Sequence, residues 1–101
     1  MMRDAMIVST DDGFSVQGSV SFDNVVALRR QGEKLLAAYF LKHNAITINF
    51  SDFKDHSASS FSLLLCWMRF AKQKKSDIKF IHLPLSMQRM GKMFGLKEII
   101  R

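Results

Sequence analysis

One cysteine, one proline, one tryptophan and one tyrosine stand among 101 residues. The lone Cys66 excludes an intramolecular disulfide framework and fits a reducing compartment. It falls inside a helical pattern without a redox partner, so an inert thiol is expected. His43, His56 and His82 show no metal-like spacing with one another or with Cys66. No metal and no cofactor are therefore expected. No glycine loop of the phosphate-binding kind is present, and no G-x-S-x-G elbow. Asp55 and His56 lie beside a run of serines, but nucleophilic catalysis also needs an oxyanion hole and a positioned base. Asp11-Asp12 and Asp52–Asp55 are read first as turn residues. No enzymatic activity is expected. No apolar run reaches the roughly 18 residues that a membrane helix needs. The opening MMRDAMIVSTDDGF has no apolar signal core and carries Asp4. A cytoplasmic location is expected.

What is present suits one α/β domain over residues 1–101. Apolar residues make up 48% of the chain, enough for a single core. The net charge of +6 is unevenly placed. Residues 1–68 hold six Lys/Arg and seven Asp/Glu; residues 69–101 hold nine and two. Such asymmetry fits either a solvated basic face or an anionic partner surface. The segment Arg69–Lys75 interleaves one aromatic with its cations, but no RNA- or DNA-binding signature accompanies it, so no nucleic-acid partner is expected.

The pattern reads strand, strand, helix, strand, helix, strand, helix. Met6–Ser9 and the alternating run from Phe14 form a hairpin about Thr10-Asp11-Asp12-Gly13, with Gly13 free to take positive φ. Gly18 marks a bulge or a close approach. Ser21 or Asp23 caps a first helix whose stripe is Val25, Leu28, Leu35, Leu36 and Tyr39. Gly32 inside it predicts a close contact with the sheet. Asn44 is a left-handed cap. Ile46–Phe50 is a central strand, and about Ser57 to Lys74 a second helix. Ile78–Ile81 is a fourth strand. Pro84 opens a third helix at its first turn, with Met87, Met90, Met93 and Phe94 on its apolar face. Gly95 closes that helix, and Leu96–Ile100 dock back as a short tail. Alternation of this kind predicts a mixed four-stranded sheet with about three helices.

The second helix is apolar over an unusual width. At about 100° per residue, Phe61, Leu64, Leu65 and Met68 form one stripe. Trp67 and Ala71 widen it, and Leu63 and Phe70 widen it further. Either Leu63 and Phe70 pack under a neighbouring helix, or the helix start is a partner surface with aromatic anchors. Before the helix lies a run of small polar residues. Capping accounts for Ser57 or Ser59; the others remain as hydroxyls displayed at a helix N-terminus.

Two stretches, INFSDFKDHSASSFSLLLCWMRFA and IKFIHLPLSMQRMGKMFGLKEII, resemble the STAS domain family. The resemblance covers nearly the whole chain and includes the order of elements. The second stretch looks most like the MlaB-type branch, the small subunit of the Mla phospholipid ABC transporter. The family pattern at this helix start is Asp, a hydroxyl residue, two small residues and an apolar one. Aligned without a gap on the three leucines, Ser57 takes the Asp place, Ala58 the hydroxyl place, Ser59 and Ser60 the small pair, and Phe61 the apolar place. A shift by one puts Ser59 at the hydroxyl and Ala58 at the Asp. The Asp is absent in both registers, which weakens the phosphoswitch of anti-sigma-factor antagonists.

The resemblance implies a non-enzymatic subunit that binds and regulates or stabilises the ATPase of a phospholipid-transporting ABC system maintaining outer-membrane lipid asymmetry. Ser57, Ala58, Ser59, Ser60, Phe61 and Leu64 would form the docking end, and the membrane would be met only through that partner. The alternative it implies is an anti-sigma-factor antagonist, bound by a kinase-type anti-sigma factor and phosphorylated on Ser57 or Ser59.

Overall fold

The structure, a computed structural model, describes residues 5–21, 23–53 and 58–93. Strands β1 (Met6–Thr10) and β2 (Gly13–Gln17) form an antiparallel hairpin. Helix α1 (Val25–Tyr39) then leads to β3 (Ala45–Asn49), α2 (Ala58–Gln73), β4 (Asp77–Ile81) and α3 (Leu85–Met93). The four strands lie in the order β1-β2-β3-β4. Both β2–β3 and β3–β4 are parallel, as helical crossovers require. This is an α/β fold with a mixed four-stranded sheet and three helices, as the alternation of elements predicts.

β3 is internal because its residues suit both faces. Ile46 and Ile48 are buried, and Thr47 and Asn49 between them are half-buried. In register, Ile48 sits between Phe14 and Phe80, both buried. Cross-strand apolar triplets of this kind fix the register, since a one-residue slip would turn every one of them to the other face. β1 is an edge strand and mostly exposed.

α1 and α2 pack side by side, joined by Trp67. This fully buried ring meets Phe14 edge-on, with centroids 5.4 Å apart, and its Nε1–H donates to the Arg29 carbonyl at 3.2 Å. Gly32 lies against the same indole. Its expected contact is therefore with a helix and not with the sheet. α2 touches α1, β4 and α3. That explains its apolar width: Leu63, Leu64 and Trp67 are fully buried, while Phe70 is half-buried against the core. Ser62 and Arg69 are exposed.

Several local expectations are corrected. Asn24 holds the N-cap position of α1 with no side-chain cap, and neither Ser21 nor Asp23 does so. The Asn24 carboxamide instead braces the preceding turn, accepting from the Ser21 N–H at 2.8 Å and donating to the Ser19 carbonyl at 3.1 Å. Asn44 is not left-handed; among the described residues, the non-glycine ones with positive φ are Lys75 and His82. Gly13 does not take positive φ either. It is pressed against the backbone carbonyl of Thr47 on β3, where a side chain has no room. Gly18 does have positive φ, 87°. Pro84 precedes α3, and its carbonyl accepts from the N–H groups of Met87 and Gln88. Met87 is buried and Met90 half-buried, but Met93 is 81% exposed. Phe94, Gly95 and the Leu96–Ile100 tail lie outside the described residues.

Candidate functional site

Because β2, β3 and β4 run in one direction, the sheet has an upper edge where these strands end and a lower edge where they begin. Loops that follow parallel strands gather at the upper edge, the usual place for sites in α/β proteins. The Ser-rich loop and the start of α2 belong there.

The base of that loop is clamped. Asn49 Oδ1 accepts from the Ser51 N–H at 2.8 Å. The Phe50 N–H donates to the Ile81 carbonyl of β4 at 2.9 Å, and the Phe53 N–H to the Phe50 carbonyl at 3.1 Å. Phe53 bridges in parallel to Gly18, whose N–H donates to the Asp52 carbonyl at 3.2 Å. The positive φ of Gly18 turns the chain after β2 so that this bridge can form. Phe50 and Phe53 meet edge-on at 5.1 Å, and Phe50 also meets Phe80 at 6.0 Å. The loop therefore leaves the sheet from a fixed, buried aromatic footing.

The docking end expected from the sequence divides in two. Ser57 lies outside the described residues. Ala58 and Ser59 begin α2, so their backbone N–H groups stand in its first turn. Ser60, Phe61 and Leu64 are buried, at 0%, 5% and 0% exposure. These three side chains face the molecule's own core, and aromatic anchoring of a partner by Phe61 would require that core to open. The surface beside them consists of exposed Ser62 and half-buried Leu65 and Cys66. At the same edge, His82 follows β4 with φ 58° and is exposed, and Leu85 opens α3 at 61% exposure. His82 is a turn and surface residue, as its place after an apolar strand suggests; the sequence reading missed Leu85, for which the available signal was its place just after Pro84.

Among the described residues, no three His, Cys, Asp or Glu come together as metal ligands. His82 is at the upper edge, whereas His43 stacks on Tyr39 at the lower one, with ring centroids 4.4 Å apart. Asp11 and Asp12 are exposed turn residues; the Asp12 carbonyl accepts from the Thr47 N–H at 2.9 Å. Two clefts, about 370 and 410 Å³, also open at the lower edge. The first is walled by Phe14, Leu35, Tyr39 and Ile46, with Lys42 and His43 on its rim. No helix among the described residues is long and apolar enough to cross a membrane. No family model and no curated protein matches this chain.

Proposed function

We propose that the protein is a non-enzymatic STAS-like subunit that docks onto the ATPase of a phospholipid-transporting ABC system and stabilises or tunes it. The proposal rests on the resemblance of the two stretches around α2 and α3 to that family. One structural observation supports it most: the chain leaves β3 over a rigid aromatic footing, Phe50 against Phe53 and Phe80, at the upper edge where α2 begins. The docking surface comprises Ser62 and Leu65 of α2 together with Leu85, which is exposed at the same edge. The protein would be peripheral to the inner membrane through that partner.

The test is retention of the ATPase by immobilised protein, comparing wild type with Ser62→Arg. Ser62 is exposed, so this variant folds normally and alters only the surface. Retention of an ABC ATPase by the wild type and its loss with Ser62→Arg support docking at this edge. Failure of the purified pair to associate removes the proposal.

A second reading is favoured by the placement of Ser59 in the first turn of α2, where a phosphate is stabilised by the helix dipole. In that case the chain is an anti-sigma-factor antagonist controlled at Ser57 or Ser59. Incubation with the kinase-type partner should then add one phosphate by mass. An unchanged mass dismisses this alternative.

A further inference from the structure

The lower edge carries a feature that the proposed docking end does not use. The α1–β3 and α2–β4 connections lie side by side because β3 and β4 start in register, Ala45 opposite Asp77. The Asp77 N–H donates to the Asn44 carbonyl at 2.9 Å and joins them directly. This brings Lys42 and His43, just past the end of α1, together with Lys74 and Lys75, just past the end of α2. The four line one open groove of about 750 Å³ with Phe40, Asn44, Ala45 and Ser76. Leu41, in the same turn as Lys42, is 85% exposed. Two exposed acids, Asp77 and Asp12, line the adjoining cleft.

Both turns are fixed. The N–H groups of Lys42 and His43 donate to the Tyr39 carbonyl at 3.2 and 3.0 Å. At the end of α2, the Ser76 N–H reaches the Ala71 carbonyl at 2.9 Å, and the Lys75 N–H reaches the Lys72 carbonyl at 3.0 Å. That is the Schellman pattern, whose left-handed position usually holds glycine. Here it holds Lys75, with φ 55°. A cation is therefore held at a backbone position where glycine would be easier, and such outliers point toward function.

We propose that this pole docks the protein on an anionic lipid bilayer. Lys42, Lys74 and Lys75 meet headgroup phosphates, while Leu41 enters the boundary between headgroups and acyl chains. Two observations favour a bilayer over a nucleic acid. Leu41 is an apolar side chain left 85% exposed at the pole, which hydrocarbon rewards and phosphate does not. Of the two rings lining the groove, Phe40 is half-buried and the His43 imidazole is already stacked on Tyr39, which leaves a poor platform for stacking bases. The inference is independent of the ATPase docking at the opposite edge.

The test is co-sedimentation of the full chain with vesicles of phosphatidylcholine containing a minority of phosphatidylglycerol, against pure phosphatidylcholine. Binding is expected to the anionic vesicles alone and to weaken with added salt. Each lysine near an anionic surface strengthens binding about five-fold, so reversing two charges in Lys74→Glu/Lys75→Glu should weaken it by about 25-fold or more. Leu41→Ser should weaken it separately at fixed charge. Both variants alter exposed residues, and unchanged Trp67 fluorescence would establish that they fold. Absence of binding to anionic vesicles overturns the proposal. So does binding that Leu41→Ser leaves unchanged, or displacement of bound protein from vesicles by a single-stranded RNA oligomer at lower concentration than the lipid. Those last two results would mark a general polyanion surface.

Discussion

Gly32 of α1 occupies the only space that the Trp67 indole leaves it: a Cβ built there would run into the six-membered ring and lie 2.6 Å from Nε1. The indole cannot swing aside, since it is fully buried, faces Phe14 edge-on and donates to Arg29. Gly32→Ala would gain up to about 1 kcal/mol in helix propensity. Overpacking against a rigid ring costs about 1–3 kcal/mol. The expected net result is a destabilised protein, measured by chemical denaturation. Trp67→Phe in the same chain should recover part of the loss, because the smaller ring vacates the contested space. A double-mutant cycle without coupling between the two would refute this packing.

Gly13 faces a harder obstacle than Gly32. The atom in the way is the Thr47 carbonyl oxygen, part of the β3 backbone, so no rotamer can relieve the clash. Gly13→Ala should part β2 from β3 at that end and destabilise by on the order of 3 kcal/mol. Hydrogen exchange gives a local readout. The Thr47 amide, which donates to the Asp12 carbonyl, should exchange faster in the variant by more than global destabilisation predicts.

At the start of α2, adjacent residues differ sharply in burial. Phe61 is 5% exposed and Ser62 is exposed. Phe61→Ala is expected to cost about 3–5 kcal/mol, a large share of the stability of a chain this size. Ser62→Arg should stay within about 0.5 kcal/mol of wild type. A thermal melt separates the two, and equal melting temperatures would refute the placement of Phe61 in the core. Loss of a partner with Phe61→Ala would consequently report unfolding, whereas loss with Ser62→Arg would report the surface.

The elements were legible because their apolar periods are local. The alternation of Ile46, Ile48 and Phe50 announces β3 by itself, and the Phe61–Ala71 pattern announces α2. What was not legible depends on partners distant in sequence. Nothing near Gly13 names Thr47, and nothing near Gly32 names Trp67, so one was read as a flexible turn residue and the other as a sheet contact. The same holds for the docking end. Ser60, Phe61 and Leu64 follow the family pattern, but only the arrangement of α1, α2 and β4 shows that their side chains point into the core. Asn44 has the composition of a left-handed cap, yet its carbonyl accepts from Asp77 in a strand-like pairing, and Lys75 takes the left-handed position instead. The charge excess of the last third was plain from composition. Its meeting with Lys42 and His43 needed the register of β3 on β4.

Lys75 places stability and surface chemistry in opposition. A left-handed residue with a Cβ costs roughly 1–2 kcal/mol, and glycine removes that cost but is more flexible in the unfolded chain. Lys75→Gly is accordingly expected to stabilise the protein by about 1 kcal/mol net, raising the melting temperature by roughly 4–8 °C for a domain of this length. The Schellman hydrogen bonds from Lys75 and Ser76 persist, since both are backbone interactions. The same change removes one cation from the lower pole, so binding to anionic vesicles should fall about five-fold while the fold becomes firmer. Lys75→Ala separates the two effects. It loses the charge but keeps the strained backbone, so vesicle binding should fall equally with no gain in melting temperature. If glycine and alanine gave the same melting temperature, the left-handed strain at this position would be refuted. If neither changed vesicle binding, Lys75 would have no part in the surface.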